Sequence, residues 1–167
     1  MTAGMPWDCF FMAARTVHAL GAGCLVYELQ QTADITFRVY DWGRVGADGK
    51  SRPLHVREAL ATIDFGASGF GPRRPPWRAE GAGRARTLVD CAYFRLEEHE
   101  LPAGSMTTAA LDTCAAITCL AGEGTLSTGG GGVPLAAARA AVVPAVAGRF
   151  QVEARAPIHF VVATPRL

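Results

Sequence analysis

The sequence predicts a mainly β protein, built from antiparallel strands with one short helix. Residues 25–30 and 34–40 alternate apolar and polar side chains with a period of two, which is typical of half-buried strands. Residues 87–164 contain short apolar runs broken by Gly and Pro, which is typical of an antiparallel sandwich or barrel. Residues 53–63 predict the helix, since Pro53 suits a first turn and Val56, Leu60 and Ile63 share one face.

The first two strands should pair in one particular register. A two-residue loop would set Glu28 opposite Phe37, whereas a loop of residues 32–34 sets Glu28 opposite Arg38 and Gln30 opposite Thr36. Only the longer loop puts both polar faces on the same side of the hairpin. The pattern therefore predicts one polar wall of these four residues, which would either line a pocket or face solvent.

Composition divides the chain into three zones. Residues 1–65 hold the two strand-like runs and the helix, and residues 87–167 form a second β region. Residues 66–86 are rich in Gly, Pro and Arg, so we interpret them as a linker.

Charge and cysteine content exclude several classes of protein. The net charge of +1 argues against binding to nucleic acid or to a membrane surface. We expect no signal peptide and no membrane span. The five cysteines are odd in number and lack CxxC spacing, so we expect free thiols in the cytoplasm rather than a disulfide framework.

One continuous segment resembles a known enzyme family. The stretch TVHALGAGCLVYELQQTADITFRVYDWGRVGADGKSRPLHVREALATIDF, residues 16–65, resembles bacterial type I mannose-6-phosphate isomerases, which are zinc-dependent cupins. That family has a histidine metal ligand in a P-A-G-T-x-H-A turn, followed by Y/L-E-I-Q-Q and T-Y/F-R-V-Y-D strands and a D-G-K-x-R-x-L-H helix start. The region from Leu88 onward resembles the family's C-terminal β domain more loosely. The resemblance implies cupin-like antiparallel jelly-roll units.

The resemblance implies roles for three residues, and the predicted polar wall adds two candidates for contact with substrate. His18 matches the zinc-ligand histidine, Arg38 matches an arginine implicated in catalysis, and Glu28 matches a pocket glutamate. With Gln30 and Thr36, which share the predicted polar wall, they would act on a hexose 6-phosphate. The implied reaction interconverts mannose 6-phosphate and fructose 6-phosphate through a cis-enediol.

The chain departs from the family at the turn before the histidine. The family pattern is G-D-x-x-x-x-P-A-G-x-x-H. In this chain, Trp7 replaces the first Gly, Ala13 replaces the Pro and Arg15 replaces the second Gly. If that second glycine adopts positive φ, arginine there would cost about 1 kcal/mol or more.

Zinc is implied by the family, but we expect its ligand set to be incomplete. The resemblance places the other ligands upstream of this segment, and one histidine does not hold a catalytic zinc, which normally has three protein ligands. The remaining histidines are far apart in sequence. We interpret His55 as structural, His99 as part of a solvated turn and His159 as part of a strand.

Three functions therefore remain open. The chain could be an isomerase that works when another chain supplies the missing half, and that is incomplete or inactive alone. It could be a non-catalytic cupin-like protein that binds sugar phosphates, with Glu28 and Arg38 as an inherited ion pair. It could also be a structural or interaction protein.

We also expect self-association, most simply as a homodimer. Unpaired strands and uncovered apolar residues such as Phe10, Phe11, Ile35, Phe37 and Val39 would favour it. The rival expectation is that residues 66–86 fold back over this face, with Phe70 and Trp77 as the cover.

Overall fold

The structure is a computed structural model that describes residues 5–33, 35–67 and 71–166. It divides the chain into two compact regions. The first region is residues 10–72, and the second, which we call the sheet domain, combines residues 3–9 with residues 73–167.

The first region contains the one α-helix of the described residues, α1 (Val56–Thr62), and an isolated bridge between Val45 and Ser51. The helix is shorter than predicted, and its buried residue is Ala59, whereas Val56 and Leu60 are exposed. No helix among the described residues is long and apolar enough to cross a bilayer.

The two strands predicted in the first region are not formed. Residues 25–30 and 35–40 have no strand assignment, and Asp34 lies outside the described residues. A two-stranded hairpin is marginal unless another element covers its apolar face. The part of the chain that the structure describes provides no such cover, because Leu25, Ile35 and Phe37 are exposed. The predicted pairing of Glu28 with Arg38 on neighbouring strands is therefore wrong for this structure.

The sheet domain confirms the predicted fold class, because it is built from antiparallel strands in two sheets. The strands are β1 (Arg78–Glu80), β2 (Gly83–Asp90), β3 (Phe94–Leu101), β4 (Met106–Ala110), β5 (Ala115–Ala121), β6 (Glu123–Thr128), β7 (Gly131–Ala136), β8 (Ala140–Val143), β9 (Arg149–Ala154) and β10 (Ile158–Pro165). A 3-10 turn, Ala145–Ala147, precedes β9.

The larger sheet has the order β1-β2-β3-β10-β5-β8 and the smaller sheet has the order β4-β9-β6-β7. The chain passes between the sheets at Gly122, which has φ +81, and a Cβ there would lie 1.9 Å from the carbonyl oxygen of Pro157. Only glycine fits this crossing. The core lies between the sheets, where Ile117, Cys119, Val152 and Phe160 are completely buried.

Part of the predicted linker belongs to the sheet domain. Residues 78–80 form β1 and residues 83–86 begin β2, although Gly81 sits at the turn between them. The two arginines of Arg84-Ala85-Arg86 give this strand the composition of a polar loop, although Ala85 between them is completely buried. Of the two predicted cover residues, Phe70 lies outside the described residues and Trp77 belongs to the sheet domain.

Candidate functional site

The residues predicted to act on substrate lie in the first region, and most of them are exposed. Glu28, Gln30 and Thr36 are all exposed and belong to no strand. His18 is also exposed, and its Nδ1 lies 3.0 Å from the carbonyl oxygen of Thr16. The structure does not assemble these side chains through the predicted hairpin, so their roles stay predictions.

Arg38 is the predicted site residue that the structure holds most firmly. Its carbonyl oxygen accepts a 2.7 Å hydrogen bond from the backbone N–H of His55, at the start of α1. Its own N–H donates to His55 Nδ1 at 3.3 Å. The guanidinium Nε lies 4.0 Å from Asp41, a buried carboxylate that also accepts two hydrogen bonds from Arg52. The Arg52 hydrogen bonds hold the pKa of Asp41 below its usual value. Arg38 therefore belongs to an ion cluster with Asp41 and Arg52 and is not paired with Glu28.

The described residues do not form a site that fits a zinc ion. Among residues 5–33, 35–67 and 71–166, no three His, Cys, Asp or Glu side chains come together as a metal-binding group. All five cysteines are free thiols, and burial raises the pKa of Cys9 and Cys119, which disfavours their thiolate forms. The described residues by themselves therefore do not support metal-dependent chemistry.

Two turns keep a backbone conformation that favours glycine, although neither residue is glycine. Arg15 has φ +73 and Trp7 has φ +68, and both replace glycines of the family pattern. The condition attached to the Arg15 prediction is thus met, and each residue carries a backbone cost on the order of 1 kcal/mol. Arg15 offsets part of this cost, since its Nε donates to the carbonyl oxygen of Thr62 at 2.6 Å.

A buried ion cluster lies on the face of the larger sheet that points away from the core. Glu98 on β3 is 2 % exposed and binds both Arg86 on β2 and His159 on β10, with 2.6 Å between Glu98 Oε1 and His159 Nε2. Burial alone would raise the pKa of Glu98, but the hydrogen bonds from His159 and Arg86 outweigh it and lower the pKa. Glu98 is therefore an ionised carboxylate at neutral pH.

A cleft of about 350 Å³ opens next to this ion cluster. Its lining is formed by Met5, Pro6, Trp7, Asp8, Arg74, Trp77, Arg86, Glu98 and Glu100. Arg84 and Arg86 lie over the ring of Trp77, with guanidinium carbons 4.5 and 4.4 Å from the ring centroid. Sequence reasoning missed this site. The alternation of Arg84 and Arg86 with small residues, facing Glu98 and Glu100, was the signal that could have revealed it.

The opposite face of the same sheet carries a second polar network, which includes His99. His99 is 6 % exposed, so the predicted solvated turn is wrong, whereas the predicted strand at His159 is confirmed. His99 Nδ1 lies 3.1 Å from Glu80, which also accepts a hydrogen bond from Thr107 of the smaller sheet. The His99 ring stacks on Phe160. Burial lowers the pKa of His99 despite the nearby carboxylate, so the ring is neutral at neutral pH.

The sheet domain and the chain as a whole match one family of proteins. A family model described as "Mannose-6-phosphate isomerase, cupin domain" matches residues 84–163, from β2 to β10. The mannose-6-phosphate isomerase ManA of Bacillus subtilis is 32% identical over 150 residues, covering 89% of this chain and 46% of the relative. A mannose-6-phosphate isomerase of Streptococcus mutans is 28% identical over 73% of this chain and 38% of its own length.

A solved structure agrees with these sequence matches. The crystal structure of the mannose 6-phosphate isomerase from Bacillus subtilis aligns with a TM-score of 0.66 and 21% identity, over 80% of this chain and 41% of that one. This likeness supports the fold. The chain spans less than half of the length of each of these relatives. The chain belongs to the mannose-6-phosphate isomerase family and carries that family's cupin domain.

Proposed function

We propose that this chain contributes the C-terminal part of an enzyme that interconverts mannose 6-phosphate and fructose 6-phosphate. The observation that carries the proposal is the 32% identity to the Bacillus subtilis isomerase, which extends over 89% of the chain. Because it includes most of the first region as well as the sheet domain, the match supports a shared site as well as a shared fold.

The chain's own contribution to this reaction would come from Arg38 and Glu28. The isomerisation moves a proton between two adjacent carbons and places negative charge on an enediolate oxygen. Arg38 carries a permanent cation that can stabilise this oxygen, and its backbone is fixed by two hydrogen bonds to His55. Glu28 would relay the proton or orient Arg38, with Gln30 and Thr36 holding sugar hydroxyls. His18 would serve as a zinc ligand only if residues from outside the described part of the chain joined it, since the described residues form no three-ligand group.

We further propose that the chain alone does not turn over substrate. Glu28 is exposed and belongs to no strand, Arg38 faces Asp41, and no metal-binding group forms among the residues described. The test is a coupled assay of the purified chain with mannose 6-phosphate, with and without added zinc. We expect no rate above that of the Arg38→Ala variant. A zinc-dependent rate that Arg38→Ala abolishes would show that this chain holds a working site.

A non-catalytic role as a cupin-like sugar-phosphate-binding or interaction protein is the alternative. Two observations favour this alternative. The sheet domain has a well-packed core, whereas most of the predicted site residues of the first region are exposed and none belongs to a strand. Calorimetric binding of fructose 6-phosphate without turnover, lost in Arg38→Ala, would favour this alternative. Turnover on addition of an extract fraction, dependent on Arg38, would favour the isomerase.

We also propose that the chain self-associates through the first region, most simply as a homodimer in the cytoplasm. The support is a set of exposed large apolar residues there, and five free thiols, which suit a reducing compartment. These apolar residues include Leu25, Tyr27, Ile35, Phe37 and Val39. Sedimentation equilibrium should show a dimer that Phe37→Asp dissociates. A monomer at every concentration would exclude self-association.

A further inference from the structure

The cleft beside the buried ion cluster is an open depression that is large enough to contact a small ligand. Its volume of about 350 Å³ falls at the lower end of the range of about 300–1,000 Å³ for small-molecule pockets. Its lining residues all belong to the sheet domain, and none of Arg38, Glu28 and His18 is among them.

The charges around the cleft are already balanced in pairs. Asp8 accepts from Arg74 at 2.9 Å, Glu100 accepts from Arg84 at 2.7 Å, and Glu98 accepts from Arg86. Because each guanidinium is matched by a carboxylate, the cleft offers no excess charge of either sign to attract a strong anion or a cation. A hydroxyl group is both a donor and an acceptor, so it can bond to the guanidinium and carboxylate edges without separating them.

The aromatic residues supply surfaces for the apolar part of a ligand. Trp77 is fixed by the two guanidinium groups over its ring. Trp7 is 51% exposed, and its ring meets His159 in an edge-on contact, with 4.5 Å between the centroids. Part of the Trp7 ring therefore remains available at the rim of the cleft.

The backbone at Trp7 is an independent observation that points to the same side chain. Residues 5–8 form a turn closed by the Asp8 N–H to Met5 carbonyl bond of 3.1 Å, with Pro6 second and Trp7 third. Trp7 adopts φ +68, at a turn position where positive φ strongly favours glycine. Such strain persists where the surrounding structure holds the residue in place, and the ring of Trp7 both contacts His159 and lines the cleft.

From the paired charges, the tryptophans and the strained turn, we propose that this cleft binds an uncharged sugar. Hydroxyl groups bond to the ion pairs of Asp8, Arg86 and Glu100, and an apolar ring face packs on Trp7. Because the charges of the cleft are balanced in pairs, a phosphate on the sugar adds little affinity there. This site does not depend on the isomerase activity proposed above.

The test uses the full chain and the three indole N–H signals of its tryptophans in a proton–nitrogen correlation spectrum, with D-mannose as the probe. We expect the Trp7 and Trp77 signals to shift with a Kd in the millimolar range or below, while the Trp42 signal stays fixed. Mannose 6-phosphate should shift the same signals with an affinity within about threefold. No shift with saturating D-mannose would overturn the proposal. At least tenfold tighter binding of the phosphate at these signals would overturn the uncharged class.

Two glycine variants form a matched pair. Trp7 and Trp42 are both 51% exposed and both have positive φ, so Trp7→Gly and Trp42→Gly each replace an exposed indole with the residue that the backbone favours. Trp7→Gly should weaken D-mannose binding at least tenfold, as read from the Trp77 signal, while Trp42→Gly leaves it unchanged. Unchanged binding in a folded Trp7→Gly variant would overturn the proposal, and the wild-type titration decides the matter if that variant does not fold.

Discussion

The two regions of this chain place their apolar side chains in opposite environments. In the sheet domain, Phe160 and Ile117 are completely buried between two sheets. In the first region, Leu25 is fully exposed and Ile35 is 73% exposed, although both belong to alternating patterns. The difference shows that an alternating pattern gives a segment an apolar face but does not by itself make the segment a strand. A strand forms where neighbouring strands pair with the segment and another element covers its apolar face.

The largest contrast should appear when one phenylalanine is removed from each region. Phe160→Ala leaves a cavity in the core, so it should lower the free energy of unfolding by about 3–5 kcal/mol. Phe37→Ala removes a ring that is already 39% exposed and should cost less than about 1 kcal/mol. Urea denaturation followed by circular dichroism measures both. Equal losses would mean that Phe37 is packed in solution as Phe160 is, which would remove the contrast.

The next contrast concerns the two arginine–carboxylate clusters. Arg86→Ala in the sheet domain strips a cation from Glu98, a carboxylate with 2% side-chain exposure, and should cost roughly 3 kcal/mol. Arg52→Ala in the first region removes a half-exposed partner of Asp41 and should shift the unfolding midpoint much less. The same urea titrations apply. A larger loss of stability from Arg52→Ala than from Arg86→Ala would show that the ion cluster of the first region stabilises the fold more than that of the sheet domain.

Acid sensitivity of the sheet domain should come mainly from two buried groups whose pKa values are shifted. Burial lowers the pKa of His99 from 6.5. As the pH falls below 6.5, the His99 ring is therefore protonated in the unfolded state before it is protonated in the folded state, and the free energy of unfolding decreases. The pKa of Glu98 is lowered from 4.5, so its contribution is present above 4.5 and is lost as pH falls through the lower folded value. The free energy of unfolding, measured by urea titration at a series of pH values, should reflect both groups.

Two variants separate these contributions. His99→Gln should flatten the pH dependence that begins at 6.5 without changing the part that begins at 4.5, and Glu98→Gln should do the reverse. If His99→Gln retains the full dependence below 6.5, another group is responsible for it.

Much of the fold was predictable from sequence, whereas the assembled clusters were not. Gly and Pro punctuation after residue 87 predicted the antiparallel fold, because short strands need frequent turns. Charged strands were harder to recognise: residues 97–100 resemble a solvated turn until Arg78, Arg84 and Arg86 supply their partners from β1 and β2. Pairing between strands far apart in sequence is decided by the whole sheet, so the His159–Glu98 contact, across 61 positions, carried no local signal.

A smaller effect should come from the backbone of the first region at Arg15. Arg15→Ala keeps the positive φ and loses the hydrogen bond to Thr62, whereas Arg15→Gly loses the same bond but relieves the backbone. The glycine variant should be more stable than the alanine variant by about 1 kcal/mol. Thermal unfolding compares them, and a more stable alanine variant would show that Arg15 does not hold positive φ in solution.

The smallest effect should be that of zinc. The described residues offer no three-ligand group, so we expect elemental analysis of the purified chain to give far less than one zinc per chain. His18→Ala should therefore leave the metal content and the stability unchanged. One tightly held zinc per chain, lost in His18→Ala, would show that other residues complete the ligand set.

The most direct measurement is amide hydrogen–deuterium exchange on the full chain, resolved by peptide. It tests whether the segment that bears the proposed catalytic residues stays unpaired in this chain while the sheet domain is stably folded. Peptides covering β3, β5 and β10 should be protected to the level of global unfolding, because these strands form the centre of the larger sheet. Peptides from residues 18–33 and 35–40 should exchange with little protection. Slow exchange in those peptides, equal to that of β10, would contradict this division and indicate that Glu28 and Arg38 lie on paired strands after all.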